Sequence, residues 1–329
     1  MNHSFSLPGW SIWLLPVAAV SLIVWAVSAV RKSQGLKRSF FASPYTLWMA
    51  IFTIIPCVLI AYYALTDATG SFTLDNFANF WDSNYTVNHL YAGMGEQYSA
   101  LIQRGTVNID ILIYSLWMAL LCTLICLGIG YPAAFFMADR EMKIGATIVV
   151  LFVIPMWMNF LLRTVAWMTL LEDQGIINSL LKSLGFSGVR LMYSNGAVLL
   201  GMVYNFLPFM VFPIYTALSK MDMKLLEAAQ DLGANPSRTF LRVTMPLSLP
   251  GVISGITMVF MPSVTTFFIP RILGGGYTMM FGDLIESKFL TENNWGVGSA
   301  LSLVMMLLIL ASLSILRKAD PEGDGGGMI

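Results

Sequence analysis

The sequence predicts an all-α protein, a polytopic bundle of transmembrane helices, on three observations. Of 329 residues, 57% are hydrophobic and only 11% charged, against roughly 25% charged in a soluble domain, and the mean hydropathy is +0.73. The apolar residues gather into runs of the roughly 17–25 residues that a helix needs to cross about 30 Å of hydrocarbon. No strand-like alternation competes with them, and within lipid a helix satisfies its own backbone hydrogen bonds.

Seven runs qualify in order: Ile12–Val30, Pro44–Thr66, Ile111–Ala138, Thr147–Leu171, Gly196–Leu218, Leu249–Arg271 and Ser299–Leu316. The first follows a polar Met1–Ser6 without a basic n-region, which argues against a cleaved signal peptide. Its Trp10, Trp13 and Trp25 suit membrane interfaces. Basic loops stay cytoplasmic, and one arrangement puts Arg31, Lys32, Lys37, Arg38, Arg140, Lys143, Lys220, Lys224, Arg238, Arg242, Arg317 and Lys318 inside. Only Arg104, Lys182, Arg190 and Lys288 then fall outside, with Arg163 and Arg271 in the outer parts of spans. The C-terminus is therefore expected in the cytoplasm, the N-terminus outside if all seven runs span.

The 18 basic and 18 acidic groups cancel, so no global field points to nucleic acid. The external connections carry an excess of acids, among them Asp67, Asp75, Asp110, Glu172, Asp173, Asp283, Glu286 and Glu292. That field would draw a cation, although inward sorting of bases leaves the same excess by default. Cys57, Cys122 and Cys126 lie within apolar runs and read as small buried packing residues. The segment Ala319–Ile329, with three consecutive glycines, reads as a flexible tail. The expected organisation is an extra span and basic linker over 1–43, a transmembrane domain over 44–318, and the tail over 319–329.

One cytoplasmic connection, residues 219–250, is long. Asp222 is a good N-cap and Gly233 a good C′ residue for a helix of about ten residues. Asn235-Pro236 opens a second helix, which Pro246 and Pro250 are expected to end. On the first helix Leu225, Ala229 and Leu232 form an apolar stripe, while Glu227 and Asp231 stand one turn apart as a like-charge pair. Small residues beside an unpaired acidic ridge suit insertion into a groove on another protein. A helix lying on the bilayer would instead favour Lys and Arg on its polar face.

Glu227-Ala228-Ala229, Gly233 four residues later, and Val243-Thr244-Met245-Pro246 resemble the EAA loop of ABC importer permeases, with Val243 and Met245 as conservative departures. The resemblance implies the type I permease fold with six core spans, in which this loop enters a cleft of a cytoplasmic ATPase; the extra N-terminal span read from the apolar run Ile12–Val30 is not part of that core. Pro155-Met-Trp157-Met-Asn159-Phe-Leu-Leu-Arg163, Leu207-Pro208-Phe209-Met210-Val211 and Gly282–Leu290 followed by Trp295-Gly-Val-Gly298 are similar to the spermidine/putrescine importer permease, B-type subunit. What this implies is a subunit of the bacterial inner membrane, surrounded by lipid, partnered by an ABC ATPase dimer, a second permease subunit and an extracytoplasmic polyamine-binding protein. Permeases for ferric ion, sulfate or another small solute share the loop and form the alternative.

Candidate path residues follow from placement. Asn159, Arg163 and Trp167 share one face if the fourth run is a single helix, and Arg163 then lies about 24 Å from its inner end. A fixed cation repels a polyamine, so a structural or gating role is expected, with Arg163 reaching outward or paired to Glu172, Asp173, Asp283 or Glu286. In the sixth run Ser254, Thr257, Met261 and Thr265 fall on one face beside Pro262, which suits a path wall or ordinary helix packing. Trp157, Tyr204, Phe209, Phe267 and Phe268 offer cation–π faces.

Three other chemistries find no residues. Gly274-Gly-Gly276 lacks the lysine of a phosphate loop, so no bound cofactor is expected, with ATP and Mg used by the partner ATPase. An ion-coupled transporter usually holds carboxylates or histidines at mid-membrane, yet His3 and His89 are both external. Those two isolated histidines offer neither a nucleophile's base nor a metal set for an intramembrane enzyme.

Overall fold

The computed structural model describes residues 45, 47–67, 69–81, 107–138, 152, 154–185, 190–275 and 278–319. In chain order the helices are α1 (Ile55–Leu65, after a π turn at Ala50–Ile54), α2 (Asp75–Trp81), α3 (Val107–Ala138), α4 (Phe160–Leu171), α5 (Ile176–Ser183) and α6 (Asn195–Ser219). There follow α7 (Met223–Asp231), α8 (Pro236–Thr239), a π turn at Phe240–Thr244, α9 (Met245–Thr265), α10 (Phe268–Leu273), α11 (Phe281–Leu290) and α12 (Trp295–Ala319). Among the described residues the β structure is limited to a bridge between Thr66 and Phe72.

Five described stretches are long and apolar enough to cross a membrane: Leu47–Leu65, Asn108–Ala138, Asn195–Ser219, Pro236–Thr265 and Trp295–Ile315. They match five of the seven expected runs. The first, Ile12–Val30, lies outside the described residues, as does the tail beyond Ala319.

The fourth run is not one helix. Residues 154–157 are helical, the chain leaves the helix at Met158 and Asn159, and α4 restarts with the Asn159 side chain accepting a hydrogen bond from the Leu161 N–H at 2.8 Å. An asparagine that captures a nearby N–H competes with the continuing helix. Asn159 is therefore a cap rather than a member of the Arg163–Trp167 face. The sixth run stops at Thr265, with Thr266 extended, because Pro270 lacks the N–H that would bond the Thr266 carbonyl. Arg271 consequently stands on α10, outside that span.

A further expectation fails for the same reason in reverse. Pro246 and Pro250 do not end the second loop helix, since α8, the π turn and α9 run on from Pro236 to Thr265. The Met245 N–H bonds Phe240 O, five residues back, and Pro246 follows in the first turn of α9, where a missing N–H costs little.

The described residues pack as two units. One contains α1, the turn after it and the first part of α12. Its C-terminal carbonyls are capped by the Asn76 side chain, whose Nδ2 donates to Ala64 O and Thr66 O at 3.1 Å each. Gly296 approaches so closely that a Cβ there would stand 2.5 Å from Asn76 Oδ1.

The other unit is built around α6, which packs against both α3 and α9. Val198, Met202, Met210 and Ile214 of α6 are fully buried. The close approach of α9 depends on glycine: a Cβ at Gly251 would lie 2.7 Å from Pro213 O, and one at Gly255 would lie 3.1 Å from Met210 O. This is the small-xxx-small device of membrane helices. Tyr131 and Ser248, 2.9 Å apart, tie α3 to α9. Cys122 and Cys126 are buried in this core as expected, whereas Cys57 is exposed.

Candidate functional site

The loop 219–250 forms as its residues dictate. The Asp222 side chain accepts from the Lys224 N–H at 3.0 Å and starts α7. Gly233 ends it in the left-handed region at φ +82°, where its N–H bonds Gln230 O at 2.8 Å and the Ala234 N–H bonds Ala229 O at 3.0 Å. Glycine takes that conformation without a Cβ penalty. Asn235 then caps α8 by accepting from the Arg238 N–H at 2.8 Å.

No residue of α7 is buried. Glu227, Ala228, Asp231, Gly233 and Pro246 are exposed and Ala229 is half-buried. Within the expected apolar stripe, Leu225 is 48% and Leu232 90% exposed, while Leu226 turns toward the core. A helix this bare presents a face rather than hiding one. Its base is firmly held, since the Phe240 ring meets Tyr131 and Phe135 of α3 edge-on at 5.9 and 5.5 Å, and Thr239 and Thr244 are buried. The loop is thereby tied to α3 and, through the continuous helix, to α9.

The candidate path residues separate into groups. Trp167 and Tyr204 come together where α4 meets α6, their rings 5.3 Å apart, with Arg163 one turn before Trp167 on α4. Beside them Asn205 Nδ2 donates to Gly201 O at 2.9 Å and reaches Thr164 Oγ1 at 3.5 Å. Trp157, 88% exposed, stands apart at the break before α4. Ser254, Thr257 and Thr265 lie on α9, where Thr257 and Thr265 donate to their own helix carbonyls Ile253 O and Met261 O. Those two hydroxyl protons are donated within α9, and both residues are half-buried.

Arg163 does not reach outward, and among the described residues it pairs with no acid. It is 7% exposed, and its Nε and Nη1 have no hydrogen-bond partner. Glu286, one of its expected partners, is bound to Arg271 instead, and Glu172 and Asp173 are exposed.

The external acids are also less uniform than their count suggests. Lys288, fully buried, bonds both carboxylate oxygens of Glu292 at 2.8 Å. Asp283, on the first turn of α11, is 6% exposed. Burial pushes its carboxyl up to about 6, and Glu286 adds to the rise while Arg271 opposes it. Sequence reasoning treated Asp283 and Glu286 as surface charge. The signal that could have found them is their three-residue spacing on one helix, close in sequence to Arg271.

Residues 127–322 match the family of binding-protein-dependent transport system inner membrane components. The chain belongs to this family. A spermidine/putrescine transport system permease protein PotB of Haemophilus influenzae is 34% identical over 281 residues, 83% of this chain and 90% of the relative. The PotB of Escherichia coli K12 is 32% identical over 281 residues, 83% of this chain and 94% of the relative. A crystal structure of a bacterial ABC transporter involved in alginate import has the same fold at 15% identity, with a TM-score of 0.66 over 90% of this chain and 96% of that one. The permease is thus a multi-pass inner-membrane transport subunit of an ABC importer, and not an enzyme.

Proposed function

We propose that this permease forms half of the translocation path of an ATP-driven polyamine importer. The bare α7 helix, anchored at its base to α3 and α9, carries that reading together with the two PotB relatives. In it, Glu227, Ala228, Ala229, Asp231 and Gly233 meet a cytoplasmic ABC ATPase dimer. ATP and Mg are used there, and Pro246 sits where the loop passes into α9. A second permease subunit completes the path, an extracytoplasmic polyamine-binding protein delivers spermidine or putrescine, and the C-terminus lies in the cytoplasm. Trp167 and Tyr204 face the path with Arg163 as a fixed positioning cation behind them.

The test is uptake of labelled spermidine and putrescine by the complete importer in proteoliposomes, with Glu227→Lys as the uncoupled control. ATP-dependent uptake in wild type, lost in the variant at unchanged membrane insertion, is the expected result. Uptake of ferric ion or sulfate in place of polyamines overturns the substrate, and unaltered uptake in Glu227→Lys overturns the coupling role.

A further inference from the structure

The start of α11 is wedged against the end of α9. A Cβ on Gly282 would lie 2.3 Å from Thr265 O and 2.9 Å from Thr266 O, so terminal carbonyls of α9 stand beside the residue that precedes Asp283. Phe281 N–H donates to Ser115 Oγ of α3 at 2.7 Å and fixes this end of α11. From Met245 to Thr265, α9 spans about 30 Å at 1.5 Å per residue. The wedge is therefore at the far end of α9 from the EAA loop.

Acceptors here exceed donors. Asp283 and Glu286 are three residues apart and share a face of α11. Glu286 Oε1 takes the Arg271 guanidinium, but its buried Oε2 has no hydrogen-bond partner. Among the described residues no donor reaches the Asp283 carboxyl, although the residue is 6% exposed. Burying an acceptor such as Glu286 Oε2 without a donor is unfavourable, and two carboxylates against one guanidinium leave a net negative charge. At the edge of the cluster the Arg271 side chain is 48% exposed and the Glu286 side chain 16%.

We propose that Asp283 and Glu286 form a subsite for one primary ammonium group of the transported substrate, an assignment that rests on the polyamine reading. An ammonium brings three N–H donors and a single charge, enough for the Asp283 carboxyl, Glu286 Oε2 and a neighbouring carbonyl. A divalent metal fits worse. Arg271 repels a double charge about twice as strongly as a single ammonium, and among the described residues no group of three metal-ligating side chains assembles. Arg271 holds Glu286 in place and, as a competing cation, keeps the hold on the substrate weak enough for release.

The experiment measures equilibrium binding of labelled putrescine to the complete importer in lipid nanodiscs, alongside uptake in proteoliposomes. Asp283→Asn is expected to weaken binding about tenfold, the loss of one charge-assisted hydrogen bond. Arg271→Gln is expected to tighten it, a gain that a misfolded variant cannot produce. The hydroxyl analogue 1,4-butanediol and millimolar Mg²⁺ should fail to displace the label. Unchanged affinity in Asp283→Asn, weaker binding in Arg271→Gln, or displacement by Mg²⁺ overturns the subsite while wild-type uptake still upholds the polyamine reading. Absence of wild-type polyamine uptake, with ATP turnover intact, overturns that reading and the subsite with it.

Discussion

Replacing Gly251 with alanine probes the contact on which the helical core depends. The added Cβ would lie 2.6 Å from Ala217 Cβ, 2.7 Å from Pro213 O and 3.2 Å from Ile214 Cα, where ordinary contacts are about 3.5–4.0 Å. Backbone atoms and a Cβ have no rotamer to escape into, so α9 and α6 must separate by nearly 1 Å. Overpacking of this kind costs roughly 1–3 kcal/mol, and alanine's better helix propensity recovers up to about 1 kcal/mol. At roughly 2–4 °C per kcal/mol, Gly251→Ala should melt about 5 °C below wild type. Gly128 is the matched control: it lies within α3 with nothing within 4 Å of a Cβ, so Gly128→Ala should melt at or slightly above wild type. The assay is thermal unfolding of both variants in detergent, followed by tryptophan fluorescence. Equal melting temperatures would refute the reasoning, since the two substitutions differ only in what surrounds the new methyl.

Asp283 gives a pH prediction of unusual sign. Its folded value of about 6 lies above the ordinary 3.9 of an aspartate, so the folded state holds the proton longer and stability falls as pH rises from about 4 to about 6. The full cost, about 3 kcal/mol, is present above that window; Asp283→Asn should melt higher than wild type at pH 7.5 and converge with it near pH 4, and parallel curves would exclude the effect. At Gly233, with φ +82° and open space around it, alanine should cost about 1 kcal/mol and asparagine less. Proline, fixed near φ −65°, should abolish substrate-stimulated ATP turnover, and retained turnover would show that the left-handed cap is dispensable. Arg163→Met removes a buried guanidinium whose Nε and Nη1 have no partner among the described residues and should raise stability by about 1–4 kcal/mol; a lower melting temperature would mean that the charge is compensated.

Much of this molecule is legible in its sequence because the controlling interactions are local. Helix length in lipid is set by the apolar run itself, and the ends of α7 and α8 follow from Asp222, Gly233, Asn235 and Pro236, whose capping reaches only two to three residues. Breaks in helices were harder to read. By spacing alone Asn159 belongs to a helical face, whereas its side chain captures the Leu161 N–H and ends that face. Pro246 looked like a terminus, although a preceding π turn absorbs it.

The sequence by itself determined a helical membrane protein, the placing of five described spans, and a loop whose residues build a short exposed helix, because each rests on covalently near neighbours and on transfer of side chains into lipid. Tertiary structure alone decided which charges are buried and which are paired. Arg163 is buried on α4 with its Nε and Nη1 unpartnered among the described residues, Glu286 belongs to Arg271, and Asp283 is enclosed where α11 abuts α9. The physical reason is that desolvation and Coulomb energies depend on distances between segments far apart in the chain, and a one-dimensional spacing carries no record of them.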